Sequence, residues 1–153
     1  ALIEDITDED WSRVMRINLD GAFYACRAAA PYLKKSGKNG RIINLSSQAA
    51  LNGTAHGVHY GASKAALLGL TYCLAKELGP DGITVNAILP GRIDTEMLAY
   101  ATPERRAQWL QSTPLGRFGD TADIAELAVF LASDKGGYIT GAKINVNGGL
   151  STG

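Results

Sequence analysis

Hydrophobic positions change period along this chain, and each change marks an element. Trp11, Val14, Met15, Leu19, Phe23, Cys26, Ala30 and Leu33 recur at mostly three- and four-residue intervals, the signature of one helix face. Thr7 precedes them with Asp10 three residues on, which resembles a capping box. A helix over residues 8–36 is therefore expected, closed by "KKSGKNG" with lysines in its last turn and glycines beyond. "RIINLSS" is short, β-branched and apolar, as a buried strand should be. A loop to about Val58 leads into a second helix carrying Leu67, Leu68, Leu70, Leu74 and Leu78, which Gly79-Pro80 terminates. "ITVNAILPG" reads as another buried strand, cut off by Pro90-Gly91, and "AKINVNGG" as a third. Between them, residues 96–112 look helical but irregular, and "TADIAELAVFLAS" is an amphipathic helix with Thr121 as its expected cap.

Strands separated by helices of this length imply an α/β fold with parallel pairing, right-handed crossovers and helices on both faces of the sheet. Such sheets bind ligands beyond the carboxyl ends of their strands. Ser46 and Ser47 end the first strand, Tyr60 opens the helix after it, and Pro90, Gly91, Asp94 and Thr95 follow the second strand. All fall on one rim.

Composition narrows the classes of function. Fifteen basic and fifteen acidic residues give a formal net charge of zero, with no basic stripe to neutralise phosphates, so no nucleic-acid partner is expected. No apolar run is long enough for a membrane span, and "ALIEDITDED" lacks the basic and apolar regions of a signal peptide. Cys26 and Cys73 are isolated and read as two small buried hydrophobes in a reducing cytosol, hence a cytoplasmic location. His56 and His59 have no acidic or cysteine partner in the pattern; they read as loop residues, and no metal is expected.

The candidate chemistry is the tyrosine and lysine four apart in "YGASK". Alone, such a pair is weak evidence and could be a surface pair shading the core. On the rim it has a use. Tyrosine ordinarily titrates near pH 10, and a lysine one helical turn away favours the phenolate. The pair can then exchange a proton with an alcohol or carbonyl oxygen, and a nearby serine hydroxyl can hold that oxygen. Carbonyl reduction also needs a hydride, which no side chain supplies, so a nicotinamide cofactor is implied.

"RINLDGAF", "GRIINLSSQAA", "YGASKAAL", "GITVNAILPGRIDTEM", "PLGRFGDTADIAELAVFLAS" and "YITGAKINVNGG" follow one another in an order and spacing that resembles the carboxyl-terminal three-fifths of a single-domain short-chain dehydrogenase/reductase. The overall resemblance is greatest to 3-oxoacyl-carrier-protein reductases. It implies a Rossmann-like doubly wound parallel sheet, of which residues 1–153 supply roughly the last three strands and their helices. It implies NAD or NADP as cofactor, a choice not legible here, and a small carbonyl or alcohol substrate. The catalytic set it implies is Asn18, Ser47, Tyr60 and Lys64, with Ser46 as the fallback serine. Tyr60 would be the acid–base, Ser47 would orient the substrate oxygen, and Lys64 would tune the tyrosine and bind the nicotinamide ribose. Asn18 would hold a helix irregularity and a water. Pro90 and Gly91 would lie along the nicotinamide ring, the Ile93 backbone at its carboxamide, and Thr95 at the carboxamide or the phosphates. A homodimer or homotetramer through helices 8–36 and 60–79 is also implied.

The family's glycine-rich phosphate turn has no counterpart in the 153 residues. The chain accordingly reads as a fragment whose first strand is an exposed edge, and which by itself should not bind the dinucleotide. A catalytically inactive interaction or dimerisation module is the alternative. Where many carrier-protein reductases place an arginine before "GITVN", this chain has Asp81, while Lys38 is retained near the other docking position.

Overall fold

Three parallel strands organise the molecule: β1 (Arg41–Leu45), β2 (Thr84–Pro90) and β3 (Lys143–Val146), hydrogen-bonded in the order β1-β2-β3. The computed structural model describes residues 1–37, 39–99 and 101–152. The middle strand, β2, is buried from Thr84 to Leu89, which explains its nearly unbroken apolar run. In register, Ile42 faces Val85, Asn44 faces Ala87, and Leu89 faces Asn145. β1 pairs only with β2 among the described residues, so its outer edge is open as the sequence suggested.

The helices are α1 (Asp8–Met15), α2 (Gly21–Lys35), α3 (Ala49–Asn52), α4 (Val58–Leu78), α5 (Glu96–Ala99), α6 (Pro103–Gln111) and α7 (Thr121–Ala132). Side chains two apart on a strand share a face. Val85 packs with Ala75 and Leu78 of α4 together with Ile83, and Ala87 and Leu89 pack with Leu68 of α4. These odd positions of β2 therefore look towards α4. Asn86 and Ile88 look the other way, and α7 covers that side against β1 and β2, with Leu131 fully buried.

Buried polar groups fix α4 on β1. Asn44 Nδ2 donates to Thr71 Oγ1 at 2.9 Å, and Thr71 Oγ1 donates to the Leu67 carbonyl at 2.8 Å. Both residues are buried, and a buried amide left without a partner costs about 1–3 kcal/mol, so sliding α4 along the strand is penalised. Asn86, also fully buried, performs the same service for the segment before β3: its side chain donates to the Ile139 carbonyl and accepts from the Ala142 N–H.

The helix over 8–36 carries the expected irregularity as a π-helical turn, Arg16–Asp20, between α1 and α2. Four sequence expectations change. The segment between β1 and α4 contains the short helix α3, started by the Ser47 hydroxyl accepting the Ala49 N–H. His59 lies in the first turn of α4 and not in the loop; His56 does precede the helix. Asp120, not Thr121, caps α7, in a reciprocal box with Asp123. Cys26 is buried, with burial pushing its thiol above the usual range, but Cys73 is exposed because α4 turns Thr71 and Ala75 inward instead. Residues 96–112 are irregular as expected: α5 and α6 are separate, and Thr102 caps α6 ahead of Pro103. No described helix is long and apolar enough to cross a membrane.

Candidate active site

Tyr60 and Lys64 occupy the first two turns of α4 and lie one above the other, as i and i+4 positions must. Gly57 begins this helix without a side-chain cap, and the Tyr60 N–H is accepted instead by His59 Nδ1 at 2.8 Å. Lys64 Nζ sits 5.8 Å from the centre of the Tyr60 ring and donates to the Leu45 carbonyl at 2.9 Å. Even-numbered residues make the ladder from β1 to β2, as the bonds at Gly40, Ser46 and Gln48 show. The Leu45 carbonyl therefore points to the open edge, and Lys64 satisfies it. Tyr60 itself is partly exposed, at 37% of its surface.

Burial pushes the Lys64 ammonium below the usual lysine range, near 10.5. Between that lowered value and the ordinary one, the unfolded chain binds more protons than the folded chain. Stability contributed by this group therefore rises with pH through the window. The stability of the native sequence relative to Lys64→Met is expected to grow as pH climbs through the lowered value towards about 10.5. Urea denaturation at a series of pH values measures it, and a difference independent of pH contradicts it.

The two serines at the end of β1 have separate tasks. Ser46 is buried, and its Oγ donates to the Lys64 carbonyl at 2.7 Å, a structural tie between strand and helix. Ser47 is half-buried, and its Oγ accepts the Ala49 N–H at 3.1 Å. A hydroxyl that accepts still has its own proton to give. The next amide, Gln48 N–H, donates to the Pro90 carbonyl at 3.0 Å, which brings the Ser47 segment against the end of β2.

Asn18 lies in the π-helical turn, so the helix irregularity is present where it was expected. Its Nδ2 donates to Ser63 Oγ at 3.0 Å, and Ser63 Oγ donates to the Tyr60 carbonyl at 2.8 Å. Beyond Pro90, the Gly91 N–H donates to the Val146 carbonyl at 2.9 Å. A Cβ on Gly91 would stand 2.6 Å from Asn147 Cα, so the close approach of β3 alone already demands glycine there. Ile93 forms an isolated parallel bridge with Gly119, and Thr95 is exposed, its Oγ1 3.4 Å from the Ile93 carbonyl. Asp94 pairs with Arg106 of α6 at 3.0 Å.

Ser63 and His59 escaped the sequence reading as parts of this arrangement. Ser63 had one signal, its place three residues after Tyr60, from which a helical serine can reach that carbonyl. His59 had none, because its ring nitrogen caps its own neighbour only in this rotamer. A pocket of about 390 Å³ lies at the ends of β2 and β3, lined by Arg92, Ile93, Thr113 and Asn147 among others; Ile93 is the one expected site residue lining it. Among the described residues no three His, Cys, Asp or Glu side chains gather as a metal ion requires.

The pattern of a family described as enoyl-(acyl carrier protein) reductase matches residues 1–151. The chain belongs to the short-chain dehydrogenase/reductase family. It is 43% identical to (3R)-3-hydroxyacyl-CoA dehydrogenase of Rattus norvegicus, over 95% of this chain and 56% of that protein. It is 47% identical to L-rhamnose-1-dehydrogenase of Scheffersomyces stipitis, over 95% of this chain and 57% of the other. A solved 3-oxoacyl-[acyl-carrier protein] reductase from Brucella melitensis superposes with a TM-score of 0.94 at 37% identity, covering all of this chain and 57% of its own. A putative NAD(P)-dependent gluconate 5-dehydrogenase from Beutenbergia cavernae, solved with bound NADP, gives 0.94 at 35% identity, over 98% of this chain and 61% of its own. The chain thus spans little more than half the length of these relatives, and its three-stranded sheet matches the corresponding part of their fold.

Proposed function

We propose that residues 1–153 are the carboxyl-terminal part of one Rossmann-like domain in a longer parent protein, an NAD(P)-dependent oxidoreductase interconverting a ketone and a secondary alcohol. The observation that carries this reading is the rim itself: a partly exposed tyrosine, a half-buried lysine 5.8 Å from its ring, and a serine hydroxyl with a proton to give. The donor set fits the nicotinamide-ribose half of such a cofactor. Lys64 would hold the ribose hydroxyls, and Pro90, Gly91, Ile93 and Thr95 would pack against the ring and carboxamide. The pyrophosphate would be held by a glycine-rich turn in the parent, because none occurs in these 153 residues.

A bound nicotinamide would supply or take the hydride at the carbonyl carbon. The rest falls to this chain's own side chains. Ser47 donates to the substrate oxygen and fixes its position, Tyr60 gives that oxygen a proton during reduction and takes it back during oxidation, and the Lys64 charge stabilises the phenolate left behind. Asn18, through Ser63, supports the turn that carries the tyrosine.

On substrate, the relatives' names run from acyl thioesters to a sugar. Asp81 pairs with Lys34 at 3.0 Å, so that corner of the surface presents a neutralised pair in place of a lone cation. This favours free or coenzyme-linked oxoacyl groups, sugars or other small alcohols over an acidic carrier protein; Lys38 lies outside the described residues. Phe23, Tyr24 and Tyr32 on α2 and Tyr72 on α4 are exposed apolar surface suited to a homodimer or homotetramer, and the parent is read as cytoplasmic.

The two serines provide the test. In the parent protein, Ser47→Ala is expected to lower kcat by about 100-fold or more, with a stability cost of about 1 kcal/mol from the Ala49 N–H that loses its acceptor. Ser46→Ala is expected to cost about 0.5–1.5 kcal/mol of stability through the lost second bond to the Lys64 carbonyl, with a far smaller loss of kcat. Steady-state kinetics and urea denaturation measure both. The opposite assignment of losses overturns the reading of this rim.

A further inference from the structure

We propose that Ser63 is a positioning residue for the reaction, transmitting the anchorage of the π-helical turn to the turn of α4 that joins Tyr60 to Lys64. This rests on the function proposed above. The Ser63 side chain is completely buried and lies in a chain of two hydrogen bonds, from Asn18 Nδ2 to its oxygen at 3.0 Å and from its hydroxyl to the Tyr60 carbonyl at 2.8 Å. Serine carries one proton to give and lone pairs to accept, so both bonds use it in its single consistent orientation.

The consequence lies in which carbonyl is bonded. In α4, the Tyr60 carbonyl is also the acceptor that the regular i+4 pattern assigns to the Lys64 N–H. Ser63 therefore acts on the peptide that sets the spacing of the two reacting side chains. A hydroxyl bonded back to the preceding turn bends a helix slightly, and here the hydroxyl is in turn held by Asn18. That residue comes from outside α4, on the one stretch of the α1–α2 helix with an extra residue per turn. A π-helical turn is an uncommon local geometry, and its side-chain bond to α4 gives it a use. Lys64 is secured independently, its carbonyl by Ser46 and its ammonium by the Leu45 carbonyl. Tyr60 has the His59 ring on its N–H and, on its carbonyl, the bond from Ser63. Ser63 is thus the route by which a separate element fixes the tyrosine side of the pair.

The experiment is a kinetic and spectroscopic comparison in the parent protein. Ser63→Ala is expected to lower kcat by about 10- to 100-fold, as sub-ångström misplacement of reacting groups does, with KM changed less than about twofold. Ser63→Thr, which keeps the hydroxyl, is expected to recover most of the loss. In an Asn18→Ala background the further loss on Ser63→Ala shrinks to less than about threefold, because the chain of bonds is already cut. In the cofactor-free protein, the fluorine resonance of 3-fluorotyrosine at position 60 shifts on Ser63→Ala. Should Ser63→Ala fail to fold, Ser63→Cys, a weak donor of similar size, carries the same expectations at about 3- to 10-fold. Lowered stability with unchanged kcat and an unmoved fluorine resonance, or fully additive losses with Asn18→Ala, overturns the positioning role. Tyr60→Phe separates the two readings: full activity there defeats the proposed function, whereas inactivity there with normal Ser63→Ala turnover defeats only the role of Ser63.

Discussion

Tyr60→Phe is expected to lower turnover of the parent protein by about 100- to 10,000-fold, the range for removing a general acid–base. The change deletes one oxygen and leaves the ring, its partial exposure and its place above Lys64 intact. The bonds that hold this turn involve the backbone of residue 60, the His59 ring and the Ser63 hydroxyl, so none depends on the phenol. Stability should therefore stay within about 0.5 kcal/mol while chemistry collapses. Single-turnover measurement with a deuterated hydride donor distinguishes the chemical step from product release. Turnover within a few-fold of the native enzyme, with hydride transfer rate-limiting, would remove Tyr60 from the mechanism and with it the reading of the rim.

Leu89→Ala is expected to cost about 2–5 kcal/mol of folding stability, the range for emptying a leucine site in a packed core. Leu89 is fully buried on the middle strand and shares one core cluster with Leu68 of α4 and Ala87 of the same strand, against which Ala50 and Leu51 of α3 pack. Its cavity would therefore open directly under the two elements that follow Ser47 and carry Tyr60. The loss should register in two ways: a lower urea midpoint, and a fall in kcat beyond what the folded fraction explains. A stability change under about 1 kcal/mol would mean that α3 and α4 collapse onto the gap, and that the site does not rely on this support.

The alternation of periods along the chain was enough to place β1, β2 and β3, to pair them in parallel and to put Ser47, Tyr60 and Pro90 at one end of the sheet. Each of those inferences depends only on which residues are apolar and how far apart they stand, and burial of a middle strand enforces both. Spacing likewise put Tyr60 and Lys64 on one helix face. The division of labour between Ser46 and Ser47 was not legible from residue chemistry, because alternation along β1 says that the two serines face opposite ways without saying which face α4 covers. Once Ile42 and Asn44 lie under α4, Ser46 must follow them inward to the Lys64 carbonyl. The π-helical turn at Arg16–Asp20 was implied by the family resemblance but not legible in the periodicity, since one added residue barely disturbs a three-to-four spacing of apolar positions. Lys64 on the Leu45 carbonyl, Asn44 on Thr71 and Asn18 on Ser63 join residues 19, 27 and 45 positions apart. Local pattern fixes faces and elements; partners this distant are chosen by the packing of α4 on β1 and on the Arg16–Asp20 turn, where every buried donor must find the acceptor that the fold brings within reach.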